Sequence, residues 1–168
     1  WYLMGFNKKV EFREEPIPAQ LIIYKDNLGP YKDVGPLYGE FTEKLKKSFS
    51  GTYLFALFTY DNPRTVKDHS QLRSSIVAFV DLSMRAAAEE FVKAYPEYKL
   101  KEIPEVKAIR APKMEFKGTP IFLMKIGSIY GQIYQYAHQQ KLLTPNEKSP
   151  AVEIYYPCTG SCFDIEII

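Results

Sequence analysis

Residues 19–60 read AQLIIYKDNLGPYKDVGPLYGEFTEKLKKSFSGTYLFALFTY, and the way this stretch divides decides the fold. Its opening, AQLIIY (Ala19–Tyr24), is dense in β-branched and aromatic residues and reads as a strand. Asn27-Leu28-Gly29-Pro30 then turns the chain. Val34, Leu37, Phe41, Leu45 and Phe49 follow at three- and four-residue steps among Glu40, Glu43, Lys44, Lys46 and Lys47, the period of an amphipathic helix that opens near Asp33 and Pro36. TYLFALFTY (Thr52–Tyr60) returns to strand character, and beyond the turn Asp61-Asn62-Pro63 a further strand is expected at SSIVAFVD (Ser74–Asp81). The order is strand, helix, strand, strand.

Outward from this block, Met84, Ala87, Ala88, Phe91, Val92 and Tyr95 form one apolar stripe, a helix over 84–95 that reads as a connector. The opening order then repeats. Tyr98–Met114 holds strand material, and Gly118-Thr119-Pro120 punctuates it. A helix carries Ile126, Ile129, Tyr130, Ile133, Tyr134 and Ala137 along one face, with Tyr130 and Tyr134 expected in the core. AVEIYYP and CFDIEII (Cys162–Ile168) close the chain as two strands. Ile17-Pro18-Ala19 and Ile103-Pro104-Glu105 echo each other before the first strand of each half. The expectation is an α+β domain over 10–168, made of two βαββ halves (about 10–82 and 98–168). They form an antiparallel sheet with helices on one face, and the other face is left as a groove.

Composition narrows function. Lys and Arg total 22 against 20 Asp and Glu, a net charge of +2 with the lysines spread along the chain, which gives nucleic-acid binding no footprint. Aromatic residues make up 15%, with 13 Tyr and 11 Phe, and such rings line clefts as readily as cores. Residues 1–6, WYLMGF, followed by Lys8 and Lys9, read as the end of a membrane anchor near the bilayer interface, as a buried strand or as an interaction segment. Cys158 and Cys162 lie in PCTGSC, a spacing that permits a disulfide without requiring one. His69 and His138 are far in sequence from both cysteines, so zinc-ligand spacing is missing and no metal or cofactor is expected. No phosphate-cradling glycine motif occurs.

The duplicated βαββ order, with Gly29-Pro30-Tyr31, Tyr60-Asp61-Asn62-Pro63 and Glu153-Ile154-Tyr155 in sequence, resembles the GyrI-like small-molecule-binding domain over roughly Val10 to Ile168. Tyr24-Lys25 before a glycine-containing turn, the Tyr-Asp-Asn-Pro turn and the extra helix resemble its eukaryotic membrane-anchored branch, the testis-expressed ER-phagy receptor family. That likeness implies an anchor at 1–9, a membrane location with the domain facing the cytosol (the endoplasmic reticulum by resemblance), and protein partners. It also implies a ligand groove in which an acid faces cationic, aromatic or lipophilic molecules. Glu153 is the acid in question, set inside the strand AVEIYY, where it either points to water or floors the site. Tyr155 shares its strand face, Leu57 and Thr59 hold the matching places in the other half, and Tyr24 completes the candidate set. Three roles follow. The first is a non-catalytic binding module for a small apolar or cationic ligand or a protein segment. The second is an accessory subunit of a large membrane complex. The third is a hydrolase of strained-ring compounds, as in another branch of the superfamily. No nucleophile, base and orienter set supports the third.

Overall fold

The computed structural model describes residues 10–115, 120–141, 151–157 and 163–167. In chain order the elements are β1 (Arg13–Ile17), β2 (Gln20–Leu28), α1 (Gly35–Ser48), β3 (Tyr53–Thr59), β4 (Arg73–Val80), α2 (Arg85–Ala94), β5 (Lys99–Ile103), β6 (Val106–Arg110), β7 (Met114–Glu115), α3 (Pro120–Gln139), β8 (Ala151–Pro157) and β9 (Phe163–Ile167). The fold is α+β, and its described residues fall into two compact units. The larger holds 17–106 with 151–152, and the smaller holds 10–16, 107–141 and 153–167.

In the larger unit four antiparallel strands lie in the order β5-β2-β4-β3. β4 is the central strand of the repeat, and Ser74–Ala78 are buried on both of its faces. The stripe read from the sequence does place α1 on this sheet. Phe41 and Leu45 are fully buried, Val34 and Phe49 nearly so, and Phe41 meets Phe55 of β3 at 5.5 Å between ring centroids. Pro36 sits in the first turn of α1, where its missing N–H costs no hydrogen bond. α2 buries Ala88 and Phe91, and Phe91 packs on Phe41 and Tyr98. α2 is thereby part of this unit's core.

In the smaller unit β8, β9 and β7 pair antiparallel in that order, and β1 pairs with β6 as a separate two-stranded ribbon. α3 contributes Ile129 and Ile133 to a core with Ala111, which Val10, Phe12, Ile109, Met114 and Tyr155 complete. Both units follow one rule. In β2-α1-β3-β4 and in β7-α3-β8-β9 the third strand lies between the first and the second.

Three expectations need correction. Tyr98–Met114 is not one strand: Pro104 and Pro112 interrupt it, so β5 adds to the edge of β2, β6 pairs with β1, and only the two residues of β7 open the second repeat. Tyr134 is not core but 44% exposed, because the buried line of α3 runs through Ile129, Ile133 and Ala137. The face of the larger sheet opposite the helices is not an open groove at its centre, since Ile22, Ala56, Phe58 and Val77 are buried there. The segment 1–9 and both cysteines lie outside the described residues.

Candidate functional site

β8 alternates its side chains, so Glu153 and Tyr155 share a face while Ile154 and Tyr156 take the other. On the first face the Tyr155 hydroxyl donates to Glu153 Oε2 at 2.8 Å. The Tyr130 hydroxyl, reaching from α3, donates to Glu153 Oε1 at 2.7 Å. Both carboxylate oxygens thus accept a phenol O–H, the short charge-assisted kind of hydrogen bond. Glu153 is half-buried, and among the described residues no cation pairs with it. On the other face Arg110 donates to the Tyr156 hydroxyl at 3.3 Å, and the Lys113 ammonium lies 3.6 Å from the centre of the Tyr156 ring. β8 therefore carries Glu153 between two phenols on one face and Tyr156 beside two cations on the other.

The remaining candidates lie in the larger unit. Leu57 is buried in β3, and the buried Thr59 hydroxyl donates to the Ala151 carbonyl at 3.2 Å. Both are on the helix-facing side with Phe55. Tyr24 is on the opposite side, because it pairs across the sheet with Val77, whereas Leu57 pairs with Ile76. The Lys99 ammonium lies 5.8 Å from its ring centroid. The structure thus joins Glu153 and Tyr155 directly and places Tyr24 on a different face from Leu57 and Thr59. Tyr130 packs its ring against the core of the smaller unit, as its place on the apolar helix stripe suggests, and its hydroxyl joins Glu153 and Tyr155. The sequence signal for it was present: Tyr130 is the one residue of that stripe, apart from the exposed Tyr134, that carries a hydroxyl needing a partner.

The two sequence motifs at 29–31 and 60–63 prove to be one structural lock. Gly29, at φ +139°, donates its N–H to the Leu72 carbonyl at 2.8 Å. The Tyr31 hydroxyl donates to the Asp61 carbonyl at 2.7 Å. Arg73 donates to Asp61 from its backbone N–H (2.8 Å), its Nε (3.0 Å) and a terminal guanidinium nitrogen (2.7 Å). Both histidines are exposed, with His69 Nε2 3.0 Å from the Pro63 carbonyl, and among the described residues no three His, Cys, Asp or Glu side chains are grouped to hold a metal. No helix among the described residues is long and apolar enough to cross a membrane.

Neither a protein-family model nor a curated protein matches the chain. Solved structures do. The C-terminal domain of EcmrR superposes with a TM-score of 0.62 at 15% identity, over 95% of this chain and 96% of that one. The fold is GyrI-like. EcmrR in complex with DNA gives a TM-score of 0.61 at 17% identity, over 99% of this chain and 60% of that chain. A hydrolase from Listeria innocua gives 0.51 at 14% identity, over 99% and 94%. At these identities the likeness is one of fold. The same fold occurs in the EcmrR C-terminal domain and in a protein named a hydrolase, so the fold alone does not separate binding from catalysis.

Proposed function

We propose that this chain is a GyrI-like binding module for a small organic cation with an aromatic or apolar body, with Glu153 as the charge-recognising group. One observation carries the reading: a half-buried carboxylate is held by the hydroxyls of Tyr130 and Tyr155 and faces no cation among the described residues. The two O–H donors stand in for water around this carboxylate. An incoming cation would gain both the carboxylate and the faces of neighbouring rings, together on the order of a few kcal/mol once water is displaced.

The test is titration of the protein with a rhodamine cation, read by fluorescence anisotropy. Glu153→Gln, which keeps shape and removes charge, is expected to weaken binding by about tenfold, equivalent to ~1.4 kcal/mol. Tyr155→Phe is expected to weaken it less. Unchanged affinity in Glu153→Gln would overturn the assignment. In the same reading the domain faces the cytosol from a membrane, as an ER-phagy-receptor-like protein. The sequence likeness at Tyr24-Lys25 and Tyr60-Asp61-Asn62-Pro63 and the aromatic segment at 1–6 support that placement. Retention of the full-length protein in membranes after an alkaline wash tests it, and release into the wash would count against it.

A further inference from the structure

β4 begins Arg73-Ser74-Ser75, and both serines are only 1% exposed although the strand is otherwise apolar. Buried hydroxyls need partners, and the partners here define a second place on the molecule. Ser75 donates to Asp26 Oδ1 at 2.7 Å, so its oxygen is left to accept from the Tyr60 hydroxyl, 3.1 Å away. Asn27 Nδ2 donates to Ser74 Oγ at 3.3 Å. Where β2 ends and β4 begins, an open cleft of about 430 Å³ is bounded by Asp26, Asn27, Leu28, Tyr60, Arg73 and Ser74, with Ser75 behind Asp26 and Tyr60. Its size lies within the range of small-molecule sites.

The direction of the hydrogen bonds sets what the cleft presents. With the Tyr60 proton turned inward to Ser75, the outer lone pair of its oxygen is an acceptor. The Asp26 carboxylate, on the same face of the sheet, is an acceptor too, whereas the Asn27 side chain lies with Ser74 on the other face. Two cations border the cleft. Arg73 is committed to Asp61 by three hydrogen bonds. Lys99 donates to Asp26 Oδ2 at 2.8 Å, but that pair is more than half exposed on both sides and exchanges readily with water. Leu28, 60% exposed, supplies an apolar wall beside the Tyr60 ring. A mostly apolar cleft with a carboxylate and a phenol oxygen as acceptors and a displaceable internal ammonium fits a cationic donor on an apolar body.

We propose that this cleft is a second ligand site, distinct from Glu153, which takes small amines, amidines or guanidines through Asp26, with Lys99 occupying the carboxylate when no ligand is bound. The site lies wholly within the larger unit and does not depend on the assignment of Glu153. Benzamidine is the probe, with uncharged benzamide as control, and amide chemical shifts of the full chain as the readout. Benzamidine is expected to shift the amides of Asp26–Leu28, Tyr60 and Arg73–Ser75, while benzamide does not. Asp26→Asn is expected to weaken binding by about tenfold, and Lys99→Ala to tighten it several-fold by removing the internal competitor. Both substitutions sit on exposed groups, and Glu153→Gln leaves this binding unchanged. Shifts that map elsewhere, equal response to benzamide, or a loss of affinity in Lys99→Ala would each overturn the proposal.

Discussion

Tyr98 is 2% exposed, and among the described residues its hydroxyl has no hydrogen-bond partner. Its ring is well used, stacked on Phe41 at 4.5 Å and bordered by the ammonium of Lys44 at 5.4 Å. The oxygen is the liability, since a buried hydroxyl without a partner costs about 1–3 kcal/mol. Tyr98→Phe keeps the ring and removes the orphan, so it is expected to raise stability by about 1 kcal/mol in urea unfolding, and a loss of similar size would show that the hydroxyl is satisfied after all. Burial pushes the Tyr98 hydroxyl up to about 12 from an ordinary value of 10, against the smaller opposing pull of Lys44. The unfolded chain therefore gives up this proton first as pH rises. The contribution is complete below about pH 10 and is lost as pH climbs towards about 12, and Tyr98→Phe should flatten that alkaline decline.

The turn between β3 and β4 shows how side chains fix the path between elements. Asp61 is mostly buried and takes three donors from Arg73, while Tyr31 ties the same turn to the connection between β2 and α1. Asp61→Ala is expected to cost about 1–3 kcal/mol, because the backbone N–H of Arg73 loses its acceptor along with the guanidinium. A double-mutant cycle with Arg73→Ala should return a coupling of about 0.5 kcal/mol or more, and strict additivity would mean that the pair is ornamental. The same elements show what could be read in advance. β2, β3 and β4 were legible as short, dense apolar runs with consecutive buried residues, and α1 because it buries one stripe at helical spacing. β1 was not, because its REEPI side chains are mostly exposed and only ribbon pairing with β6 makes it a strand. The split of Tyr98–Met114 was equally hidden, since the choice of β2 as the neighbour of β5 is made by tertiary pairing. For the candidate site, Glu153 beside Tyr155 followed from strand alternation alone. Its bond to Tyr130 joins residues 23 apart in sequence on two elements, and no local pattern announces that.

Two repeats with the same strand order do not have the same means of holding themselves together. The larger unit buries Leu21, Ile23, Phe41, Leu45, Ile76, Val77 and Phe91 around a strand paired on both sides. Among the described residues the smaller unit buries Ala111, Ile129, Ile133, Ala137 and Ile154, and it includes a ribbon of two five-residue strands bridged by a charge ladder with one pair on each face: Lys107 with Glu14 at 2.8 Å, Arg110 with Glu15 at 3.4 Å. Exposed ion pairs add little, and a two-stranded ribbon is marginal by itself. Amide hydrogen exchange should therefore be graded across the molecule. The amides of Ile22, Ile23, Val77 and Ala78 are expected to exchange only through global opening, because β2 and β4 are each hydrogen-bonded to two neighbours. Those of β1 and β6 should exchange through local opening, with protection lower by about a thousandfold, or ~4 kcal/mol. Adding 0.5 M salt should screen the ladder and lower the protection of β1 and β6 further while leaving β4 unchanged. Uniform protection across both units would mean that the ribbon opens only with the core, and that its stability comes from packing and not from the ladder.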